Sequence, residues 1–285
     1  MQCVISLNDG QARRLELPDA NSSVWPGLLW GKFDEPLTPA FWASQAWMWQ
    51  PGTTQSYRLG GTFSEEIVYC LLGGHGAPAE VGLAAARRVC NRLRDLDAKN
   101  PTRTEFEKWL REPLPIGDRT VRYRFAAQRA RYLEGIFEKL DDVDYVSLAD
   151  GELRNVLLDL PGIGPKTASW IVRNWRSSND VAILDVHIVR ACSAIGIFQE
   201  TQNLARNYSE LEGQFLAFCQ ATRSKASAMD AVMWSTMRGL SKKLLHHLVD
   251  QAKVAIQPKP VHRSRVEPCR ETMNVGGTKA TAARQ

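Results

Sequence analysis

The chain has 285 residues, 44% of them hydrophobic, enough to bury a large core as one domain or as two closely joined lobes. No apolar run approaches the roughly 18 residues of a membrane helix, and residues 1–8 lack the basic flank and long apolar region of a secretory signal. The net charge of +5 is unevenly placed: residues 251–285 hold seven Lys/Arg against Glu267 and Glu271, so the remainder is balanced and excludes a globally polycationic body.

In chain order, residues 3–7 and 12–17 flank Asn8-Asp9-Gly10-Gln11 and predict a β-hairpin. Residues 20–60 are aromatic-rich (Trp25, Trp30, Phe33, Phe41, Trp42, Trp47, Trp49) and read as core or lobe-packing segments. Helical patterns then cover about 62–72, 77–96, 103–111, 122–140, 147–159, 165–175, 186–195, 204–221, 227–238 and 241–253. No internal repeat and no further strand is predicted. The expected organisation is a mainly α body over residues 61–252, preceded by the hairpin and aromatic segment of residues 1–60. A basic tail, residues 253–285, is low in large apolar residues and reads as disordered. It would add salt-sensitive attraction to phosphates.

Cys3, Cys70, Cys90, Cys192, Cys219 and Cys269 are scattered with no C-x₂-C pair. That argues against zinc and disulfide frameworks and for a reducing, intracellular, cytoplasmic setting. Arg119, Arg122, Arg124, Arg129 and Arg131, with Tyr123 interleaved, form an acid-free run between Asp118 and Glu134. It reads either as a nucleic-acid patch or as a solvated helix face.

The most informative stretch is Leu160-Pro161-Gly162-Ile163-Gly164-Pro165-Lys166-Thr167-Ala168. An apolar helical run ending at Leu160 enters a tight turn whose two glycines permit positive φ and close backbone approach. Pro165 suits the first position of a new helix. The result is a helix–hairpin–helix over about residues 150–175. Its free N–H groups at Gly162, Ile163 and Gly164, with the positive end of the helix dipole, make a phosphate site.

Lys166 falls in the first turn of the second helix, where a cation is electrostatically disfavoured, and burial under a substrate would further penalise the charged form. A neutral amine is a nucleophile able to form a Schiff base. Nineteen positions on, Asp185 precedes the apolar-periodic Ile188, Val189, Cys192 and Ile195, and reads as a helix N-cap. An amine beside a held anion suits displacement at a carbon that develops positive charge, such as C1′ of a nucleotide.

These residues resemble the helix–hairpin–helix DNA glycosylases with a Gly/Pro-rich loop and a following aspartate (HhH-GPD), most closely the 8-oxoguanine DNA glycosylase/AP lyase branch. The similarity runs from about Gly61 to Gly239 and is strongest from Asp150 to Ala194. It implies a two-lobed helical fold and excision of a damaged base from double-stranded DNA by a monomer. Lys166 would attack C1′, Asp185 would support the sugar cation, and β-elimination would cleave the strand. His187 matches a phosphate-contacting position, though a capping or packing histidine is the plain alternative. No metal or organic cofactor is implied, although hairpins of this family often bind a monovalent cation through backbone carbonyls. The four-cysteine iron–sulfur loop of some relatives has no counterpart.

The resemblance also has departures. The segment that fills the gap left by an extruded base is Leu72-Gly73-Gly74-His75-Gly76-Ala77-Pro78, where only His75 has a side chain large enough for a wedge. Trp170 stands one turn after Lys166, where the eukaryotic branch has a small cysteine. Asp230 and Trp234, at i,i+4 spacing, are similar to an acid and a stacking tryptophan of archaeal enzymes and, with Trp170, suggest a base pocket. Two alternatives stay open at this point: a glycosylase for another modified base, and a DNA-binding protein without catalysis.

Overall fold

The computed structural model describes residues 1–8, 10–49, 57–74, 76–95, 100–142, 144–199 and 202–257. Strands β1 (Gln2–Asn8) and β2 (Gln11–Leu17) pair antiparallel with Asn8 opposite Gln11, as the turn residues predict. Their inner side chains Val4 and Leu17 pack on Trp30, Ala40 and Ala43.

Beyond them the fold is helical. The elements are α1 (Pro39–Met48), α2 (Phe63–Leu72), α3 (Ala79–Arg94), α4 (Arg103–Arg111), α5 (Ala126–Phe137), α6 (Asp150–Leu157), α7 (Pro165–Arg176), α8 (Val186–Ala194), α9 (Tyr208–Ala221), α10 (Ala226–Gly239) and α11 (Lys242–Ile256). Local chemistry sets many starts. Thr38, Thr62, Thr102 and Ser241 each cap a helix with the side-chain oxygen, and Thr102 with Glu105 completes a capping box.

Four expectations need correction. Helix α1 was not predicted within residues 20–60. Short strand pairs β3 (Ser23–Trp25) with β4 (Leu28–Leu29), and β5 (Leu114–Ile116) with β6 (Arg119–Val121), lie beyond the N-terminal hairpin. Strands of two or three residues carry no readable alternation. The arginine run does not share a helix face: Arg119 is on β6, Arg122 and Arg124 follow it, and Arg129 and Arg131 are on α5. Tyr123, interleaved among them, is buried and donates to the Leu72 carbonyl at 2.8 Å. Finally, α11 continues past residue 252, because Ile256 is 2% exposed and packs in the core. Residues 258–285, most of the expected tail, lie outside the described residues.

Two main cores organise the body. One gathers α2 to α7 around Phe106, Leu133, Ile136 and Ile171, and the other gathers α1 and α8 to α11 around Trp42, Phe215, Phe218 and Met229. The chain passes from the first to the second between two fully buried neighbours, Val181 and Ala182. Consequently α7 and α8, which carry the two residues singled out for chemistry, belong to different cores. No helix among the described residues is long and apolar enough to cross a membrane.

Candidate active site

The hairpin forms between α6 and α7. Gly162 has φ +76°, and a Cβ there would come within 2.2 Å of the Tyr132 ring. Gly164 is different: it is the N-cap of α7, with φ −101° and open space around it. Ile163 is buried and plugs the turn into the first core. Pro165 occupies the first helical position as expected, and no side chain among the described residues caps α7. Its N-terminal amide groups therefore remain for an external acceptor, with Ala168 N–H first returning to the Gly164 carbonyl at 2.9 Å.

Lys166 is half-buried in that first turn, its amine 5.9 Å from the centre of the Trp170 ring. Trp170 packs against the first core, and its ring edge faces Gly73 in the glycine-rich turn after α2. His75, the expected wedge, lies outside the described residues.

Asp185 is the N-cap of α8. One carboxylate oxygen, Oδ1, accepts from the His187 N–H at 2.8 Å and the Ile188 N–H at 3.0 Å. This leaves Oδ2 outside the cap. His187 is half-buried, with ring Nδ1 shielded and unpartnered among the described residues.

The expected base-pocket residues differ in environment. Trp234 is 39% exposed, with the Arg238 guanidinium 4.3 Å from the ring centre. Asp230 is buried, and Arg173 donates to both its oxygens, at 2.6 Å and 3.3 Å. Burial raises the Asp230 pKa, while Arg173 and the Ile183 N–H oppose the rise. The carboxylate expected in the base pocket is thus paired with Arg173 in this structure. Tyr57 covers the same guanidinium, 4.2 Å from ring centre to Arg173 Cζ, and donates to the Ser227 carbonyl.

Sequence reasoning missed the carboxylates that hold this region. Glu212 accepts from Ser169 Oγ and from the Ala182 N–H, at 2.8 Å and 2.9 Å, and from Arg154 at 3.1 Å. Glu66 accepts from the Leu59 and Gly60 N–H groups and from Asn174 Nδ2. One signal was available: Ser169 and Arg173 stand three and seven positions after Lys166, on its helical face. A cavity of about 810 Å³ bounded by Trp30, Trp47, Tyr57, Asn179 and Arg223 contains none of the predicted site residues, so its size does not make it the reaction site.

Comparison with known proteins agrees with this arrangement. The family model described as 8-oxoguanine DNA glycosylase matches residues 55–224, more than half of the chain. An 8-oxoguanine DNA glycosylase/AP lyase of Picrophilus torridus is 29% identical over 177 residues, covering 61% of this chain and 78% of that protein. The crystal structure of an 8-oxoguanine DNA glycosylase of Methanocaldococcus jannaschii is 25% identical with a TM-score of 0.50, covering 62% of this chain and 78% of that one. An endonuclease III in a DNA complex shares the fold at 16% identity and a TM-score of 0.51, covering 75% of this chain and 94% of that one. A hairpin with an uncapped second helix, a lysine in its first turn and an aspartate capping the next helix all fall within the matched span, and the chain belongs to the 8-oxoguanine DNA glycosylase family.

Proposed function

We propose that this protein is a bifunctional DNA glycosylase/AP lyase that excises 8-oxoguanine from double-stranded DNA, acting as a monomer. The carrying observation is an uncapped α7 N-terminus bearing Lys166 together with a capping carboxylate at Asp185 whose second oxygen lies outside the cap. The hairpin amides of Gly162 and Gly164 and the His187 ring hold backbone phosphates beside the lesion, whereas the Ile163 N–H, expected to join them, already donates to the Leu160 carbonyl at 3.2 Å. The damaged nucleotide leaves the stack at a cost of a few kcal/mol.

The Lys166 amine then attacks C1′. The N-glycosidic bond breaks, its electron pair leaves with the base, and the base is protonated. Asp185 stabilises the positive charge at the sugar. The ammonium so formed gives one proton to the departing base and the other to O4′ as the sugar ring opens, leaving an imine. Removal of a C2′ proton expels the 3′ phosphate, and water releases the aldehyde from Lys166. No organic cofactor enters these steps. A monovalent cation, where bound, would be structural and held by hairpin carbonyls such as those of Gly162 and Ile163, which accept no hydrogen bond among the described residues.

Trp170 and Trp234 supply apolar ring surface for the flipped base. Trp170 also favours a second reading, excision of a different modified base, because a large ring stands beside the amine. Borohydride reduction during turnover on 8-oxoguanine duplexes tests the first reading: protein and DNA should become linked, and Lys166→Gln should abolish the link. An undiminished link in that variant removes Lys166 as nucleophile, and faster single-turnover excision of another base overturns the substrate.

A further inference from the structure

The segment from Ser177 to Leu184 joins α7 to α8 without regular structure. It is largely buried near its end, where Val181, Ala182 and Leu184 are at most 1% exposed. Buried backbone groups in such a segment must find partners. Here α9 supplies them. Ala182 N–H donates to Glu212 Oε1 at 2.9 Å, the Tyr208 hydroxyl donates to the Ala182 carbonyl at 2.8 Å, and Leu184 N–H donates to that hydroxyl at 3.2 Å. Asp185 is the next residue.

The same Glu212 oxygen accepts from Ser169 of α7 at 2.8 Å, and its other oxygen accepts from Arg154 of α6. One carboxylate thus ties both hairpin helices to the chain three residues before Asp185. We propose that Glu212 and Tyr208 are positioning residues, which set the Asp185 carboxylate against the Lys166 amine by clamping residues 182–184 to α7. This inference rests on the functional reading above and deepens it.

Stability alone is a poor reason for these groups. A buried ion pair is often no more stabilising than apolar residues of the same volume. The Arg154–Glu212 pair also leaves Arg154 Nε buried without a partner among the described residues. Geometry is the better reason, since misplacing a reacting group by about 1 Å costs about 10²-fold in rate. Burial pushes the Tyr208 phenol well above its usual range, so it remains a donor to Ala182 across the working pH.

Two variants test the clamp. Tyr208→Phe removes the hydroxyl bonds to Ala182 and Leu184 while leaving the Ala182–Glu212 bond, and Ser169→Ala cuts α7 from Glu212 while leaving its other two bonds. Each should lower single-turnover excision by about 10-fold to 100-fold, with affinity for a duplex holding an uncleavable abasic analogue unchanged. The decisive readout is a double-mutant cycle. If the clamp acts through Asp185, neither change should slow the residual excision of Asp185→Asn further. Wild-type rates in both variants, or full additive losses in the Asp185→Asn background, overturn the positioning role. Should Tyr208→Phe not fold, Ser169→Ala carries the same test. A wild-type protein that forms no borohydride cross-link overturns the functional reading beneath, a result distinct from a cross-linking protein whose variants behave as wild type.

Discussion

Gly162 stands directly against the Tyr132 ring: a Cβ at that position would overlap Cδ2 at 2.2 Å, and its φ of +76° is a conformation that L side chains rarely adopt. Two residues along, Gly164 has neither constraint. The two glycines of the hairpin therefore do different things. Gly162→Ala should be destabilising by about 1–3 kcal/mol through strain and overpacking, and should weaken DNA binding with the hairpin. Gly164→Ala should leave the melting temperature unchanged. Equal melting of the two variants would show that the turn relaxes around Gly162.

At Asp185 both cap bonds converge on Oδ1. An asparagine keeps that oxygen and loses only the charge. Asp185→Asn should accordingly hold its melting temperature and DNA affinity while base excision falls by orders of magnitude. Parallel loss of all three would make Asp185 chiefly a structural cap. Undiminished excision would remove its electrostatic role.

The hairpin and the Asp185 cap were legible because their signals are local: a glycine, a proline or an acid within three or four residues of the group it serves. Helix α1 was not. Its Pro39, Ala40, Trp42, Ala43 and Ala46 are all buried, so no polar stripe alternates with an apolar one. The start Thr38-Pro39 was the one local sign. The clamp on residues 182–184 was also hidden. Ser169 and Glu212 are 43 positions apart, and Arg173 and Asp230 are 57 apart. Spacing within one helix cannot announce a partner on another. Asp230 shows the same limit: it shares a helix face with Trp234, but its oxygens accept from an arginine on α7 that its own helix could not announce.

The end of α11 sets where the chain can be shortened. Ile256 is 2% exposed in the second core, and its burial contributes about 1.5–3 kcal/mol. Ending the chain after Ala252 should lower the melting temperature. Ending it after Gln257 should spare the fold while removing six Lys/Arg and two Glu, and should flatten the dependence of log K for DNA on log salt. An unchanged salt slope would show that this part never meets DNA. Identical melting of both truncations would show that the last turn of α11 contributes nothing.

Acid sensitivity should report on Glu65. Burial alone would raise its pKa, but the Arg94 guanidinium at 2.7 Å and the Gly61 and Thr62 backbone groups hold it below the ordinary value of 4.5. A depressed carboxylate contributes stability that is present above its unfolded value and lost as pH falls through its folded one. Glu65→Gln should therefore lower the melting temperature at neutral pH and flatten its decline below pH 4.5. An acid limb identical to wild type would place the sensitive carboxylate elsewhere.

Trp234 and Asp230, both expected in the base pocket, share a helix but not an environment. Trp234 is 39% exposed, so Trp234→Ala should leave the melting temperature nearly unchanged. Loss of a stacking surface should weaken lesion binding by about 1–3 kcal/mol. Abasic-site cleavage, which needs no base, should persist. Asp230→Asn should do the reverse, destabilising the fold by about 3 kcal/mol or more because Arg173, with a side chain only 11% exposed, loses its counter-charge. Where that variant still folds, its preference among lesion duplexes should match wild type if the carboxylate stays with Arg173 when DNA binds. Parallel loss of lesion binding and abasic cleavage in Trp234→Ala would end the stacking role. A changed lesion preference in Asp230→Asn would return the carboxylate to the base pocket and require Arg173 to release it when DNA binds.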